Sequence, residues 1–355
     1  MRALPDVLQS SDRLFQVFSD GFEVLLNAPT LSQFILALFN ATHDPFISTR
    51  WWPCIRDLYA DMIRKYANEI AYPNKHENSD VTILRGLTKE GLDGLGTTIF
   101  NEAGYWRIQY SRARSFRPLG IGAKPVNSIY DPFNDSGFHY NKSFLQSERF
   151  WVGELLGKIT SLFYNKFPFA TLHALLIPEQ GGRHPQYLLP EYHEWAWNVV
   201  EKVGEKIPGF GGGYNSRGAF ASVNHLHFQT FHEPAGLPIT KREWSHNGGD
   251  IPYPIGCWIF RSKKESWEWI YHCIRENIAF NLIYLPGSIF CIERKMQGTY
   301  KHERWTSGFA WYEYAGGMIA LKAAHYSYLT RNPDVIPMEF AKTALPVHNE
   351  HTRMQ

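Results

Sequence analysis

In the stretch Asn-His-Leu-His-Phe-Gln-Thr-Phe at residues 224–231, polar and apolar residues alternate with a period of two. That period is typical of a β-strand whose two faces meet different surroundings. His225, His227 and Gln229 are therefore predicted to share one face of a sheet. A neutral imidazole can attack phosphorus, and a nearby amide can donate to a phosphoryl oxygen. The stretch thus predicts transfer of a nucleotidyl group through a histidine.

Two further segments support this interpretation over the simpler one, a buried strand whose histidines are merely hydrogen-bonded. Asn165, Pro168 and His173 follow the spacing Asn-x-x-Pro-x-x-x-x-His, ahead of four apolar residues and a proline. Residues 214–223 lead directly into the histidine strand and contain small, amide and hydroxyl side chains. Such a segment lets a phosphate approach backbone and side-chain donors closely.

The overall charge of the chain argues against a polyanionic partner. The 355 residues include 36 Lys and Arg against 34 Asp and Glu, a net charge of +2. Nucleic acid is therefore not expected as a partner, whereas a small phosphorylated ligand needs only local positive charge.

The cysteines and the apolar runs predict a cytoplasmic protein. Four scattered cysteines form no Cys-x-x-Cys pair, so neither a disulfide framework nor a four-thiolate zinc site is expected. No apolar run reaches the roughly 18 residues of a membrane span, and the N-terminus lacks the apolar core of a signal peptide.

Helical spacing of apolar residues over residues 7–70 predicts a mainly helical N-terminal region, residues 1–125. Trp51-Trp52-Pro53 is expected to interrupt these helices, and residues 72–80 are expected to form an exposed loop. A Gly- and Pro-containing passage at residues 117–125 predicts a connection into a second unit, residues 126–355.

The second unit shows strand patterns alternating with two helical stripes, at residues 191–206 and 266–278. Further strands are predicted at residues 171–177, 257–260, 280–285 and 289–293. Because strands outnumber helices and short turns join several of them, the pattern favours an α+β fold. We expect an antiparallel sheet with helices packed on one side. A weak sequence similarity between residues 169–178 and residues 280–293 is consistent with a duplicated fold.

At these motifs the chain resembles the histidine triad superfamily. The Asn165, Pro168 and His173 spacing is similar to that family's nucleotide-binding hairpin. Its signature strand reads His-x-His-x-His, or His-x-His-x-Gln in the branch of galactose-1-phosphate uridylyltransferases and diadenosine polyphosphate phosphorylases. Residues 215–229 look most similar to GDP-sugar phosphorylases, including those of the GDP-L-galactose phosphorylase type. The resemblance extends over residues 126–330, and it implies a histidine-triad-like sheet with flanking helices.

The resemblance also implies roles for individual residues. His227 would be the nucleophile that forms a covalent nucleotidyl-imidazole, Gln229 would bind a phosphoryl oxygen, and His225 would orient the strand. Five residues would contact the substrate: Asn165, His173, Asn215, Ser222 and Asn224.

Two features bear on ligands beyond these residues. Some uridylyltransferases bind a structural metal through paired cysteines and the first histidine of the strand; this chain lacks such a pair, so neither a metal nor a cofactor is predicted. Arg112, Arg114 and Arg117 form a basic cluster that is either a solvated loop or a contact for a diphosphate.

Together these features predict a nucleotidyltransferase that cleaves an NDP-sugar, with GDP-hexose preferred by resemblance, using phosphate to give NDP and sugar 1-phosphate. A dinucleoside polyphosphate phosphorylase and a sugar-phosphate nucleotidyltransferase are the enzymatic alternatives. A catalytically silent nucleotide-binding protein is disfavoured by the intact histidines, and a hydrolase by Gln229, which cannot protonate a leaving group.

Overall fold

The computed structural model describes residues 3–73, 78–117 and 125–346. Within these ranges, five helices lie ahead of residue 91, and the first two begin at capping side chains. Ser10 Oγ accepts the amide of Arg13, and Thr30 and Gln33 form a reciprocal capping box. The five helices are α1 Ser11–Leu26, α2 Leu31–His43, α3 Pro45–Lys65, α4 Ala67–Ala71 and α5 Ser79–Glu90.

The predicted interruption at Trp51-Trp52-Pro53 is wrong, because α3 continues through it. Ile47 and Ile55, on either side of the proline, are fully buried. Trp51 Nε1 also donates to the Ser19 carbonyl in α1 at 3.0 Å. Packing against α1 therefore offsets the helical hydrogen bond that Pro53 cannot make.

The N-terminal region also contains a β-hairpin that was not predicted. Strands β1 Ile99–Ala103 and β2 Trp106–Tyr110 pair antiparallel. Gly104 supplies the positive φ of +59° in their two-residue turn. A late strand, β11 Gly317–Ala320, pairs parallel with β2 and completes a three-stranded sheet. Five residues are too few for strand alternation to stand out beside long helices.

A larger sheet of eight strands lies in the order β3-β4-β5-β7-β6-β9-β10-β8, and every neighbouring pair is antiparallel. The predicted α+β class and antiparallel sheet are therefore confirmed. Its strands are β3 Arg149–Leu155, β4 Lys158–Tyr164, β5 Ala174–Pro178, β6 Phe210–Asn215, β7 Phe228–His232, β8 Cys257–Phe260, β9 Ala279–Leu285 and β10 Ser288–Arg294.

Both faces of this sheet are covered, so the prediction of helices on one side is wrong. Phe228 points to the face that packs on α6 Pro190–Gly204 and α7 Lys263–Arg275. Phe231, of opposite parity, stacks on Trp311 at 4.9 Å on the other face. That face is covered by the small sheet and by α8 Trp311–Tyr314, α9 Ala323–Arg331 and α10 Val335–Thr343. Apolar residues therefore occur at both parities of β7, whereas Val152 and Ile159 are exposed at the β3–β4 edge of the sheet.

The two parts of the chain share contacts across residue 125. β2 pairs with β11, and Tyr164 Oη in β4 donates to the Phe18 carbonyl in α1 at 2.5 Å. The division into two units and the duplication stay predictions. Most of the connection expected at residues 117–125 lies outside the described residues, as does the centre of the loop expected at residues 72–80.

Candidate active site

The strand that carries the histidines begins later than predicted. β7 starts at Phe228, so His225 and His227 lie on the approach to it. The alternation nevertheless holds, since Leu226 and Phe228 are both buried in the core beneath the sheet. Leu226 N donates to the His184 carbonyl at 2.9 Å, so a loop segment takes the place of a neighbouring strand.

The ring of His227 is oriented by its own main chain. Its Nδ1 donates to the His225 carbonyl at 2.7 Å. A carbonyl can only accept, so Nδ1 carries the hydrogen and Nε2 keeps its lone pair. Burial lowers the pKa of His227 to about 4, although the bond to the His225 carbonyl raises it somewhat. Above that pH the ring is neutral, and Nε2 can act as a nucleophile.

His225 is held as a neutral ring beside His227. Its Nδ1 accepts the amide of Tyr140 at 3.2 Å. The ring lies between the aromatic rings of Phe133, at 5.2 Å, and Tyr140, at 5.5 Å. Burial lowers the pKa of His225 to about 3, and the neighbouring His227 adds to this effect. Tyr140 also contacts the ring of His227, so one aromatic side chain braces both histidines.

Gln229 has its carbonyl oxygen fixed by two donors. His173 Nε2 donates to Gln229 Oε1 at 3.0 Å, and Trp311 Nε1 donates to the same oxygen at 2.8 Å. His173 Nδ1 accepts the amide of Phe169, which places the hydrogen on Nε2. Burial lowers the pKa of His173 to about 3. The NH₂ group of Gln229 makes no hydrogen bond to a described residue, so it is available to an incoming phosphoryl oxygen.

Asn165 lies beside His173, as its spacing predicted. Its Nδ2 is 3.2 Å from His173 Nε2, and its Oδ1 accepts the amide of Phe167 at 3.0 Å in a tight turn. The carbonyl of Asn165 accepts Asn40 Nδ2 from α2 at 3.0 Å. The N-terminal helices therefore hold this turn in place.

The remaining predicted substrate residues have different surroundings. Asn215 Oδ1 accepts from Asn281 Nδ2 at 2.6 Å and from the amide of Trp311 at 2.9 Å. Asn224 is committed to neighbouring loops through its Oδ1 and its Nδ2. Ser222 is exposed, and its hydroxyl bonds to no residue that the structure describes. The roles predicted for Asn215, Ser222 and Asn224 stay predictions.

The three clustered arginines separate into two kinds. Arg112 forms an exposed ion pair with Glu90. Arg114 donates to the Phe167 carbonyl and lies 5.1 Å over the ring of Phe169. Burial lowers the pKa of Arg114 to about 9, and the nearby positive charge of Arg117 lowers it further.

Arg117 is the less satisfied of the two enclosed arginines. Its guanidinium lies 5.6 Å over the ring of Phe167 and makes no hydrogen bond or ion pair with a described residue; its Nε is buried without a partner. Glu313 is the acidic group that raises the pKa of Arg117, against the larger lowering by burial. Burial raises the pKa of Glu313 itself to about 6. Glu313 is thus the acidic group that acts on both enclosed arginines, and two positive charges face one carboxyl group.

Sequence reasoning missed three residues that shape this site, namely Tyr140, Gln186 and Trp311. Trp311 follows a loop more than 80 residues after Gln229, and no local pattern connects the two. Gln186 lies in a segment without regular structure, where a lone glutamine gives no signal. Across the described parts of the chain, no three His, Cys, Asp or Glu side chains are grouped so that they could hold a metal ion. None of the described helices is both long and apolar enough to cross a membrane.

A family model described as "GDPGP1-like, N-terminal domain" matches residues 122–231, just under a third of the chain. Human GDP-D-glucose phosphorylase 1 is 32% identical over 130 residues, which are 34% of this chain and 33% of the relative. Arabidopsis thaliana GDP-L-galactose phosphorylase 1 is 31% identical over 136 residues, or 34% and 30% of the two chains. The aligned part of the chain thus spans about a third of the length of these relatives.

A solved structure is similar over a longer stretch. The crystal structure of yeast Ap4A phosphorylase Apa2 in complex with AMP covers 78% of this chain and 99% of its own. The two sequences are 14% identical, and the TM-score is 0.49.

Proposed function

We propose that the protein is a nucleotidyltransferase with a histidine-triad-like site, which cleaves a GDP-hexose with phosphate to give GDP and hexose 1-phosphate. The observation that carries this proposal is the state of His227. Its ring is neutral, its Nδ1 is committed to the His225 carbonyl, and its Nε2 keeps a lone pair. The NH₂ group of Gln229, two residues further along, bonds to no described residue. The four cysteines are free thiols, which supports a reducing cytoplasm.

The reaction proceeds in two displacements. His227 Nε2 attacks the α-phosphorus, the new N–P bond forms, and the bridging P–O bond breaks so that hexose 1-phosphate leaves with that oxygen. A phosphate oxygen then attacks the same phosphorus, the N–P bond breaks, and GDP leaves. Gln229 donates to a non-bridging oxygen as negative charge develops on it. A phosphate leaves in the first displacement and the imidazole of His227 leaves in the second, so no strong general acid is required.

The choice of nucleotide and sugar rests on the relatives. Those relatives are named for GDP-D-glucose and GDP-L-galactose, and the family model matches residues 122–231, which include His225, His227 and Gln229. Asn165 and His173 would hold the ribose side of the nucleotide. Asn215, Ser222 and Asn224 would surround its phosphates.

The enclosed arginines supply a counter-charge for the diphosphate. Arg114 lies over Phe169, whose ring is 4.1 Å from that of His173. Arg117 has unused donors beside the same hairpin. Guanidinium groups in a partly desolvated cleft bind phosphate through charge-assisted hydrogen bonds. These two residues would therefore bind the phosphate that leaves and the one that enters.

The decisive experiment is a panel of NDP-sugars and dinucleotides, each tested with inorganic phosphate and followed by release of the nucleoside diphosphate. GDP-hexoses should be cleaved best. Substrate labelled at the α-phosphate should label the protein when phosphate is omitted, through an acid-labile and alkali-stable bond on His227.

The His227→Ala variant should fold normally, lose the label and lose turnover by far more than tenfold, because the covalent route is gone. A folded variant with turnover within about tenfold of wild type would contradict the assignment of the nucleophile.

A further inference from the structure

Strands β6 and β7 separate at the residue that bears the nucleophile. Their last paired residues are Gly213 and Gln229. By the antiparallel register, Asn215 would be the next residue to exchange hydrogen bonds, and its partner would be His227. Asn215 and His227 do not exchange main-chain hydrogen bonds, so the amide and the carbonyl of His227 need other partners.

The side chain of Gln186 fills this gap. Its Nε2 donates to the Asn215 carbonyl at 2.9 Å and to the His227 carbonyl at 3.2 Å. Its Oε1 accepts the amide of His227 at 2.9 Å. One amide thus satisfies both main-chain groups of His227 and bridges the two separating strands. Gln186 is only 2% exposed, so water does not compete for these bonds.

The segment around Gln186 is itself tied to the histidine stretch. The amide of Gln186 donates to Asn224 Oδ1 at 3.0 Å, and the His184 carbonyl accepts the amide of Leu226. Residues 184–186 therefore run beside residues 224–227 as a neighbouring strand would. Of these two hydrogen bonds, the one to Asn224 is made by its side chain.

The ring of His227 is oriented by the main chain just before it. Nδ1 reaches the carbonyl of His225, only two residues earlier, at 2.7 Å. We propose that Gln186 is a positioning residue, whose amide holds the main chain of His227 so that Nδ1 meets the His225 carbonyl and Nε2 faces the substrate. The catalytic consequence rests on the proposed function, whereas the effect on the His227 ring does not.

The side chain must both donate and accept, and this requirement provides the test. Gln186→Leu offers neither group. In Gln186→Glu, the ionised carboxylate accepts the His227 amide, but it places a negative charge against the carbonyls of Asn215 and His227. When protonated, its carboxyl group again has a donor and an acceptor. Burial should move its titration towards neutral pH. His225 and His227 do not titrate there, because burial keeps their pKa values at about 3 and about 4.

The measured quantity is the single-turnover rate of protein labelling, relative to wild type at each pH. We expect Gln186→Leu to be slower by on the order of 10²-fold, with KM changed by less than about threefold, since a small misplacement of the reacting atom can cost that much. Gln186→Glu should be equally slow at pH 8 and recover about tenfold by pH 6 as the donor is restored. The amide of Gln33 also accepts and donates, but it does so in the capping box of α2, where it bonds to Thr30 and Ser147. Gln33→Glu, the matched control, should show no recovery.

A measurement independent of turnover separates this inference from the proposed function. Nitrogen NMR of ¹⁵N-histidine protein, with His227 assigned by its loss in His227→Ala, should show hydrogen on Nδ1 in wild type and a mixture of tautomers in Gln186→Leu. Should Gln186→Leu fail to fold, Gln186→Glu at pH 8 and pH 6 gives the same comparison. A wild-type protein that labels with no nucleotide would refute the proposed function alone. The role of Gln186 would be refuted if the variants kept the hydrogen of His227 on Nδ1 as wild type does. It would also be refuted if the labelling rate of Gln186→Glu, relative to wild type, were the same at pH 8 and pH 6.

Discussion

Gln229 contributes one group to catalysis and uses the other for its own orientation. Because Oε1 accepts from His173 and Trp311, the NH₂ group is directed away from both. Gln229→Glu keeps an oxygen for these two donors but removes the donor that faces the phosphoryl group. We expect kcat/KM to fall by on the order of 10²-fold or more, as for loss of an oxyanion donor. Steady-state kinetics with a GDP-hexose measure this, and a fall of less than threefold would make Gln229 a structural residue.

Arg117 and Arg112 form a natural comparison. Both are arginines of the same cluster, but Arg112 pairs with Glu90 at the surface, whereas Arg117 lies over Phe167 and has unused donors. Arg117→Met keeps much of the packing over Phe167 and removes the charge. We expect kcat/KM to fall by about 10-fold to 100-fold for Arg117→Met, as for loss of a charge-assisted hydrogen bond.

Arg112→Met should remain within about twofold of wild type, since exposed ion pairs contribute little. Equal effects of the two substitutions would show that the cluster acts through general charge and that Arg117 does not bind the substrate directly.

Individual site residues were predictable where they follow a short, regular spacing in the sequence. His227 and Gln229 lie two apart, and Asn165 and His173 lie eight apart, so the pattern indicated that each pair would be close. The hydrogen on His227 Nδ1 follows from a main-chain carbonyl that no pattern reveals. Trp311, the first residue of α8, and Gln186, in a loop, are both distant in sequence from His227, and only tertiary packing brings them to the site.

The hairpin that carries Asn165 and His173 depends on α2. Asn40 Nδ2 donates to the Asn165 carbonyl at 3.0 Å and to the Leu36 carbonyl at 2.9 Å, and the side chain is buried. Asn40→Ala leaves the Asn165 carbonyl without that donor, at a cost of about 1–3 kcal/mol. We expect the melting temperature to fall by several degrees and KM for the nucleotide to rise, measured by calorimetry and kinetics.

Asn332 provides a control for this variant. It makes a similar bond to the Tyr328 carbonyl at an exposed helix end, so Asn332→Ala should change stability by less than about 0.5 kcal/mol. An unchanged KM in Asn40→Ala would mean that α2 supports the fold without positioning the nucleotide.

At the scale of elements, long periodic segments were predicted best. α6, α7 and strands β8 to β10 begin and end within three residues of their predicted bounds. The histidine strand was placed four residues too early, because side-chain alternation continues through an extended segment that is not paired. β1 and β2 were missed because each has only five residues. The interruption at Pro53 was wrongly predicted because tertiary packing keeps the helix intact.

The stability of the whole molecule should depend on pH through its buried histidines. Burial lowers the pKa of His43, His173 and His225 to about 3 and that of His227 to about 4, from 6.5. Below pH 6.5 the unfolded chain therefore binds more protons than the folded one, and the free energy of unfolding falls as pH falls.

Two buried carboxyl groups oppose this trend. Burial raises the pKa of Glu148 to about 7 and that of Glu313 to about 6, so their folded forms bind the extra protons. Burial also lowers the pKa of His193 to about 4 and raises the pKa values of Asp44 and Glu233. Because the lowered histidines outnumber the raised carboxyl groups, we expect the free energy of unfolding to be lower at pH 5 than at pH 7 by on the order of 3 kcal/mol. Urea unfolding at both pH values measures this. His43→Asn should reduce the difference between the free energies of unfolding at the two pH values by roughly the contribution of one proton. A protein that is more stable at pH 5 than at pH 7 would contradict the prediction.

The parallel pairing of β2 with β11 has a consequence for the order in which the protein is made. Residue 107 in β2 lies opposite residue 317 in β11, so a ribosome must add about two hundred residues before the small sheet can close. Trp311, which directs Gln229, is synthesised just ahead of that strand. Contacts between such distant parts of a chain form late and leave apolar edges exposed meanwhile. A nascent chain that already contains both histidines therefore still lacks an assembled site until Trp311 and β11 have also been synthesised.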